Sequence, residues 1–463
     1  MSEERKKRKS FVFAAVLLGV IVALFLSEAV VRVFDLAPGL NRVSHGIHRL
    51  TNNPDIKYEL VPYSIDGYEA INGQGRRDFH YPEKKPADTY RIAVLGDSIT
   101  FGWASFVWEA WPSMAEFYLN HYRKDKTIRI EVWNFGIRGF GTPEEAALLE
   151  DRVLAIDPDL LLIGYCLNDP DEFSVDLVWN YRNMNWSDEQ YLEGLVDAWR
   201  TGFRKFLYTR VKLYTFLKYR ILALQRQKRM AENKIGRELN QKGMQVSFKT
   251  LGEDYFFQIH RDGWERVRSG FERIGRTVRE HQLPTMVVLF PDFADLDDYK
   301  YAALHKKVGD EAKKNGLAVF DLLPAYLDAR KLFPGMILGV ERSPIHPTRE
   351  GQRIAGFAVA EHLALTALVP GGPEAYEPAL FNFETAQETP DAMKNFGDHD
   401  MFWIEWGIYM LMYDHYEAAL KSFKRAHAQN PDNLLAPEGL RRLLKKTNDP
   451  EITRAAEDLL KKW

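Results

Sequence analysis

Four residues at the ends of apolar stretches could together carry out acyl transfer. Ser98 closes the stretch Arg-Ile-Ala-Val-Leu-Gly-Asp-Ser, and Asn168 follows the run Leu-Leu-Leu-Ile-Gly-Tyr-Cys-Leu. Gly139 lies in a glycine-rich run, and His346 stands in an Ile-His-Pro-Thr segment. A nucleophilic hydroxyl, a base that takes its proton and N–H donors for an oxyanion are the groups that ester cleavage requires.

The apolar stretches that precede these residues predict the strands of a parallel sheet. Parallel α/β sheets bind ligands at the carboxyl ends of their strands, so side chains that follow different strands can meet at one edge. A helix is predicted from near Gln352, directly after the His346 segment. A Gly-Asp-Ser tripeptide also suits any strand-to-helix turn that Asp or Ser caps. The interpretation of Ser98 as a nucleophile therefore depends on the other three residues.

These four blocks, in this order, resemble the SGNH (GDSL-type) hydrolases, a superfamily of serine esterases and acyltransferases. The resemblance covers roughly residues 65–365 and implies an α/β fold, a flavodoxin-like three-layer α/β/α domain. It implies Ser98 as nucleophile and His346 as general base. It also implies an oxyanion hole made by the backbone N–H groups of Ser98 and Gly139 and the side chain of Asn168.

The last block departs from the family pattern, which has an Asp three residues before the histidine. Ser343 stands there instead. Glu341, or Asp292 after the apolar stretch 285–290, could be a displaced acid. Alternatively, the Ser343 hydroxyl or a backbone carbonyl could accept the Nδ1–H bond and leave a working Ser-His dyad. In a third interpretation the site is degenerate, because a hydroxyl lacks the charge that stabilises imidazolium.

Length and composition fit a globular protein of more than one domain. The chain has 463 residues, of which 46% are hydrophobic and 27% charged, and a formal net charge of −3. This small negative charge does not indicate a protein that binds nucleic acid. The single cysteine, Cys166, excludes an intrachain disulfide and is expected to be a buried thiol. No phosphate-loop or His-Glu-x-x-His motif occurs, so we expect no cofactor and no metal.

The N-terminus is typical of a membrane anchor. A basic cluster at residues 4–9 precedes the uncharged stretch Phe11–Leu26. We expect residues 1–36 to be a cytoplasmic tip followed by a single transmembrane helix, since basic residues stay on the cytoplasmic side. The rest of the chain would then be extracytoplasmic, anchored to the inner membrane and periplasmic in a Gram-negative source. A cleaved signal peptide is the alternative.

The predicted hydrolase domain, residues 37–368, contains a helical insertion at 170–280. Residues 200–249 hold fourteen Lys or Arg and only two acids, and apolar residues recur there at helical spacing. One interpretation is a surface helix that packs its apolar stripe on the core. The other is a basic amphipathic cap, with a patch at 200–229 that binds anionic lipid or an acidic polymer.

The C-terminal part is predicted to be a 369–399 linker followed by a helical module at 400–463. One tetratricopeptide repeat is indicated at about 400–433, by the spacing of the residues Trp403, Gly407, Ala419, Phe423, Ala426 and Pro431. Such helices bury their faces only by stacking. The module is therefore either a surface that binds a protein partner or a structural cap on the hydrolase domain.

The sequence favours a serine ester hydrolase or O-acyltransferase that acts on an acyl ester, a short acyl group on a carbohydrate or lipid. The alternative is a catalytically inactive, membrane-anchored protein that binds carbohydrate and recruits partners through its helical repeat. The Ser343 departure favours the inactive protein, whereas Ser98, Asn168 and His346 favour the enzyme.

Overall fold

A computed structural model describes the residues 2–34, 44–45, 47–50, 53, 55–56, 58–170, 211–214, 216–217, 261–294, 296–341, 343–384 and 391–463. Most of the predicted basic insertion, including most of the 200–229 patch, lies outside the described residues. The chain divides into two compact units. One unit comprises Met1–His45 and Ser174–Met244, and the other comprises Gly46–Phe173 and Gln245–Trp463.

The first unit contains a long helix, α1 (Ser2–Val33). Its segment Phe11–Val33 has a mean hydropathy of 2.6 and is long and apolar enough to cross a membrane. A segment of 23 residues rises about 35 Å as a helix, against a hydrocarbon core of about 30 Å. By length and composition, α1 is therefore a candidate for either a membrane anchor or a signal sequence.

The second unit is built on a parallel sheet. The strands of the described chain are β1 (Ser44–His45), β2 (His48–Leu50), β3 (Tyr58–Leu60), β4 (Ile65–Asp66), β5 (Glu69–Ala70), β6 (Thr89–Gly96), β7 (Arg129–Asn134), β8 (Leu160–Tyr165), β9 (Thr285–Leu289), β10 (Ala318–Asp321), β11 (Gly339–Val340) and β12 (Ser343–Pro347). Five of them, all parallel, form the central sheet in the order β10-β9-β8-β6-β7. Numbered along the chain this is 2-1-3-4-5, the flavodoxin-like order.

Helices cover both faces of this sheet, which explains why its central strands are near-continuous apolar runs. After α1, the helices are α2 (Ser98–Phe101), α3 (Trp111–His121), α4 (Thr142–Leu148), α5 (Arg261–Glu280), α6 (Ala302–Lys314), α7 (Leu323–Leu332), α8 (Arg349–Leu365), α9 (Ala392–Phe396), α10 (Asp400–Met412), α11 (Tyr416–Gln429), α12 (Leu435–Lys446) and α13 (Pro450–Lys462). Helix α3 packs against α8, and α4 packs against α5. The predicted α/β class and parallel sheet are confirmed.

Helix α5 falls inside the predicted insertion of 170–280, but it belongs to the central domain. It lies between the parallel neighbours β8 and β9 and packs against α4. Parallel strands need a crossover connection, and α5 is that crossover. The sequence places α5 in the insertion because its basic, amphipathic pattern continues the composition of the residues before it.

Part of the segment predicted as a linker, 369–399, packs on the central domain. Tyr376 and Leu380 are fully buried, and Arg123 Nη1 donates a hydrogen bond to the carbonyl of Pro370 at 2.8 Å. Helices α10 to α13 then pack in sequence, each on the next, and they belong to the same compact unit as the sheet. Phe423 lies against both Gly407 and Gly439, where a Cβ atom would meet its ring within 2.7 Å. The tetratricopeptide assignment itself stays a prediction.

Candidate active site

Strand β6 delivers Ser98 to the carboxyl edge of the sheet, between β7 and β8. Gly96 ends the strand so close to α2 that an added Cβ atom would meet Thr100 Oγ1 at 2.1 Å. Asp97 caps α2, since its Oδ1 accepts a hydrogen bond from the backbone N–H of Ile99 at 2.8 Å. The strand order reverses at β6, which is where open α/β sheets bind ligands. Ser98 is half-buried there.

His346 contacts Ser98 from a segment 248 residues later in the chain. It lies on β12, which forms an antiparallel pair with β11. Thr348 caps the following helix, α8, by accepting a hydrogen bond from the N–H of Gly351 at 3.2 Å. This hairpin and cap place His346 Nε2 2.7 Å from Ser98 Oγ, within hydrogen-bonding distance. A nucleophile and a base in this arrangement can transfer a proton between them.

Ser343 lies at the other nitrogen of the imidazole ring. Its Oγ is 2.8 Å from His346 Nδ1. In the part of the chain that the structure describes, Glu341 and Asp292 make no hydrogen bond or ion pair with His346. Glu341 is exposed, and Asp292 instead accepts a hydrogen bond from the N–H of Ala294 at 2.8 Å. Of the three candidates to orient the histidine, the structure places Ser343 beside the ring.

Gly139 and Asn168 lie on the loops that follow β7 and β8. Gly139 has φ +74°, in a turn that the N–H of Phe140 closes by donating to the carbonyl of Ile137 at 3.1 Å. Asn168 Nδ2 is 3.3 Å from Asp97 Oδ2, which places the amide beside the residue before Ser98. Gly139 and Asn168 are both half-buried, as Ser98 and His346 are.

Asp169 ties these two loops together. Its Oδ2 accepts hydrogen bonds from the backbone N–H of Thr142 at 3.1 Å and from the Thr142 hydroxyl at 2.7 Å. Asp169 is buried, and Thr142 begins the helix that follows the Gly139 loop. The Asn168 turn and the glycine-rich loop are thus fixed to each other before any substrate arrives. Cys166, two residues before Asn168, is a buried free thiol.

Burial controls the charges at this site. The pKa of His346 is lowered to about 4, chiefly by desolvation and to a smaller extent by Arg138, against a backbone hydrogen bond at Ser343 that raises it. The imidazole is therefore neutral at pH 7 and can accept a proton. Burial also raises the pKa of Asp97 to about 6, against the hydrogen bonds from Ile99 and Asn168, which lower it.

Sequence reasoning missed several residues that hold the site in place. Trp103 lies on the ring of His346, with centroids 4.4 Å apart and planes tilted by 51°. Gln352 Nε2 donates to the carbonyl of Ile99 at 3.0 Å, which fixes α8 to the helix that carries Ser98. No motif marks either residue. Among the residues that the structure describes, no group of three or more His, Cys, Asp and Glu side chains is placed to hold a metal ion.

Comparison with known proteins places these blocks in one family. The model of the GDSL-like lipase/acylhydrolase family matches residues 94–354, more than half of the chain. Among solved structures, the chain is similar to the lipase/acylhydrolase from Enterococcus faecalis, with 14% identity over 59% of this chain and 95% of that one and a TM-score of 0.30. It is also similar to a catalytic mutant of an acetylxylan esterase from Geobacillus stearothermophilus, with 13% identity, 58% and 92% coverage and a TM-score of 0.32. No curated protein matches the chain. On the family match, the chain belongs to the GDSL-like lipase/acylhydrolase family of SGNH hydrolases.

Proposed function

We propose that this protein is a serine ester hydrolase or O-acyltransferase that uses Ser98 as its nucleophile. The observation that carries the proposal is the 2.7 Å distance between Ser98 Oγ and His346 Nε2, across 248 residues of sequence. Family membership supports ester chemistry. We infer that the substrate carries a short acyl group on a carbohydrate or lipid.

The contact between Ser98 and His346 supports the following reaction. His346 Nε2 takes the proton of Ser98, and Oγ attacks the ester carbonyl carbon. The resulting oxyanion accepts hydrogen bonds from the backbone N–H groups of Ser98 and Gly139 and from the side chain of Asn168. The C–O bond of the ester then breaks, and His346 gives its proton to the departing alcohol. Water, or the hydroxyl of an acceptor, repeats the sequence in reverse and releases the acyl group from Ser98.

In this proposal Ser343 replaces the usual carboxylate as the partner of His346. The Ser343 hydroxyl oxygen lies 2.8 Å from Nδ1 and can accept a hydrogen bond from Nδ1–H. The proton then stays on Nδ1, and Nε2 is free to act as the base. It supplies no negative charge to stabilise the imidazolium that forms during the reaction. The enzyme would therefore work as a Ser-His dyad, and its base would stay unprotonated at acidic pH.

The activity should persist at unusually low pH. The base must be unprotonated, and kcat/KM reports the pKa of the free enzyme. Because the pKa of His346 is lowered to about 4, we expect kcat/KM for p-nitrophenyl acetate to fall to half near pH 4, not near the 6.5 of an ordinary imidazole. An inflection near pH 6 that disappears in Asp97→Asn belongs to Asp97. A half-maximal point at pH 6 or above in both proteins contradicts the prediction.

Two substitutions of Ser343 should change the activity in opposite directions. Ser343→Ala removes one hydrogen bond to the ring, worth about 1 kcal/mol or a five- to tenfold loss in kcat/KM. Ser343→Asp places a carboxylate at Nδ1, which raises the pKa of His346 and shifts the acid limb upward. We also expect higher turnover at pH 8. Glu341→Ala serves as the control, since Glu341 is exposed. A larger loss in Glu341→Ala than in Ser343→Ala would make Glu341 the acid.

We further propose that α1 anchors the protein in the inner membrane, with the catalytic unit outside the cytoplasm. The apolar segment Phe11–Val33 and the basic cluster before it support this orientation. In this arrangement α10 to α13 would offer a surface to an extracytoplasmic protein partner, and the basic composition of residues 200–229 would favour binding of anionic lipid or an acidic polymer. A reporter enzyme that works only after export, fused after Trp463, should be active in intact cells. If a reporter that works only in the cytoplasm is active at the same position, the C-terminus lies in the cytoplasm and the proposed orientation is wrong.

One experiment separates the enzyme from an inactive binding protein. A fluorophosphonate probe should label the full-length protein in detergent micelles, and Ser98→Ala should abolish the labelling. Labelling that persists in Ser98→Ala would show that a different serine is the reactive nucleophile. Absence of labelling and of activity on any activated short-chain ester, with no gain in Ser343→Asp, would favour the alternative, a membrane-anchored carbohydrate-binding or scaffold protein.

A further inference from the structure

A fully buried arginine connects the loop behind Ser98 to the C-terminal helices. The guanidinium of Arg77 donates to the carbonyls of Phe101 at 3.2 Å, Gly102 at 2.6 Å and Ser105 at 2.5 Å. Its Nε and Nη2 donate to the two carboxylate oxygens of Glu405 at 2.9 and 3.1 Å. All five N–H donors of the guanidinium are thus used: two on Glu405, one on the last residue of α2 and two on the loop that follows it.

Glu405 reaches this arginine from the middle of α10. Its side chain is fully buried, like that of Arg77. Besides the ion pair, its oxygens accept hydrogen bonds from the backbone N–H groups of Ala70 at 3.1 Å and Val107 at 2.7 Å. A residue of the C-terminal module therefore satisfies one backbone group on β5 and one just after the loop that Arg77 holds. The carboxylate and the guanidinium have no solvent to replace these bonds if one is lost.

The loop that Arg77 holds is the one that carries Trp103. It begins at Gly102, with φ +82°, and contains Ala104, a non-glycine residue with φ +64°. A left-handed alanine persists only where the surrounding bonds impose it. The N–H of Trp103 donates to the carbonyl of Ser98 at 3.0 Å, and its side chain lies against the ring of His346. The position of this loop therefore sets how much of the imidazole is covered.

We propose that Glu405 and Arg77 are positioning residues of the active site, which hold the loop Gly102–Ser105 so that Trp103 covers His346. The C-terminal helices are then part of the catalytic apparatus and not only a surface for partners. This inference rests on the proposed function for its kinetic consequences, because Ser98 and His346 are the residues that the loop serves.

The proposal has a consequence that a purely structural ion pair would not have. Among the residues that the structure describes, Arg138 lowers the pKa of His346, and Asp97 Oδ2 lies 3.5 Å from Ser98 Oγ. Burial is the larger cause of the low pKa. If the loop moves and water reaches the ring, the pKa of His346 should rise toward 6.5, because desolvation disfavours the charged imidazole.

The test uses two matched substitutions in full-length protein in detergent micelles. Glu405→Asp keeps the charge but shortens the side chain, so the bidentate contact with Arg77 is lost. Glu131→Asp is the control. Glu131 forms an equally buried ion pair with Arg91, near the amino-terminal end of β6 and away from the loop. We expect Glu405→Asp to lower kcat/KM for p-nitrophenyl acetate about 10- to 100-fold at pH 6. Its acid limb should move up by at least about one pH unit, while Glu131→Asp leaves the limb in place.

A second variant and a second measurement cover the other outcomes. Trp103→Ala removes the cover directly and should shift the acid limb in the same direction, even if Glu405→Asp does not fold. The pKa of His346 can also be read by NMR with ring-labelled histidine, assigned by loss of its signal in His346→Gln. If wild type is neither active nor labelled by fluorophosphonate, the proposed function fails, and the NMR shift in Glu405→Asp or Trp103→Ala still decides the inference. Equal pKa values in wild type and both variants would overturn it.

Discussion

Replacement of Ser98 or His346 by alanine should each lower turnover of p-nitrophenyl acetate by at least about 10²-fold, and the double variant should be little worse than either. Residues that act as one unit lose the whole contribution when either is removed. The short contact between Ser98 Oγ and His346 Nε2 predicts this behaviour, because the base has no proton to take once the hydroxyl is gone. Activity that remains should come from the oxyanion donors and from binding alone.

The control for this experiment is His121→Ala, an exposed histidine at the end of α3. It should leave turnover unchanged, and all four proteins should show the same circular dichroism. Losses of less than about tenfold in either single variant, or losses that multiply in the double variant, would show that the pair does not act as a nucleophile and its base.

Asn168→Ala should lower kcat by about 10²–10³ with a much smaller change in KM. The loss of one oxyanion donor costs this amount, because the donor acts on charge that develops only in the transition state. Asn168 lies on the turn that Asp169 fixes to Thr142, so its side chain has a constrained position beside Asp97. Asn168→Asp, which offers an acceptor in place of the donor, should lose at least as much.

Asn120→Ala is the matched control for this prediction. Asn120 is also held by the backbone, donating to the carbonyls of Glu116 and Ile130, but it lies at the amino-terminal edge of the sheet. It should cost stability and leave kcat unchanged. An Asn168→Ala protein with wild-type kcat would remove Asn168 from the mechanism, and a change confined to KM would make it a binding residue.

The sheet and the four motif blocks could be predicted because their signals are local in the sequence. The strands of the central sheet are apolar runs, and Ser98 and Asn168 stand just after two of them. The match of the family model confirms the family that these blocks resemble. The sequence leaves the partner of His346 open, because three residues at different sequence distances could reach the ring. The structure places Ser343 beside it, on the strand that pairs with β11.

The supporting contacts could not be predicted, because they join residues far apart in the chain. Arg77 and Glu405 are 328 residues apart in the sequence. Neither belongs to an apolar periodic pattern that would predict its burial. Charged residues are rarely fully buried, so a sequence analysis assigns both to the surface by default. The 369–399 segment was likewise predicted as a linker from its prolines and glycines, although Tyr376 and Leu380 are buried in the domain.

The family model ends at residue 354, whereas the interior of this domain extends to Glu405. A gene segment that ended after α8 would encode an Arg77 whose counter-charge is missing. An unpaired buried charge costs about 3–5 kcal/mol, a large part of the 5–15 kcal/mol that holds a typical domain folded. Recombination at the family boundary would therefore tend to yield proteins that do not fold. We expect the catalytic domain and its C-terminal helices to be inherited together, with an acidic residue retained at position 405 wherever Arg77 is retained.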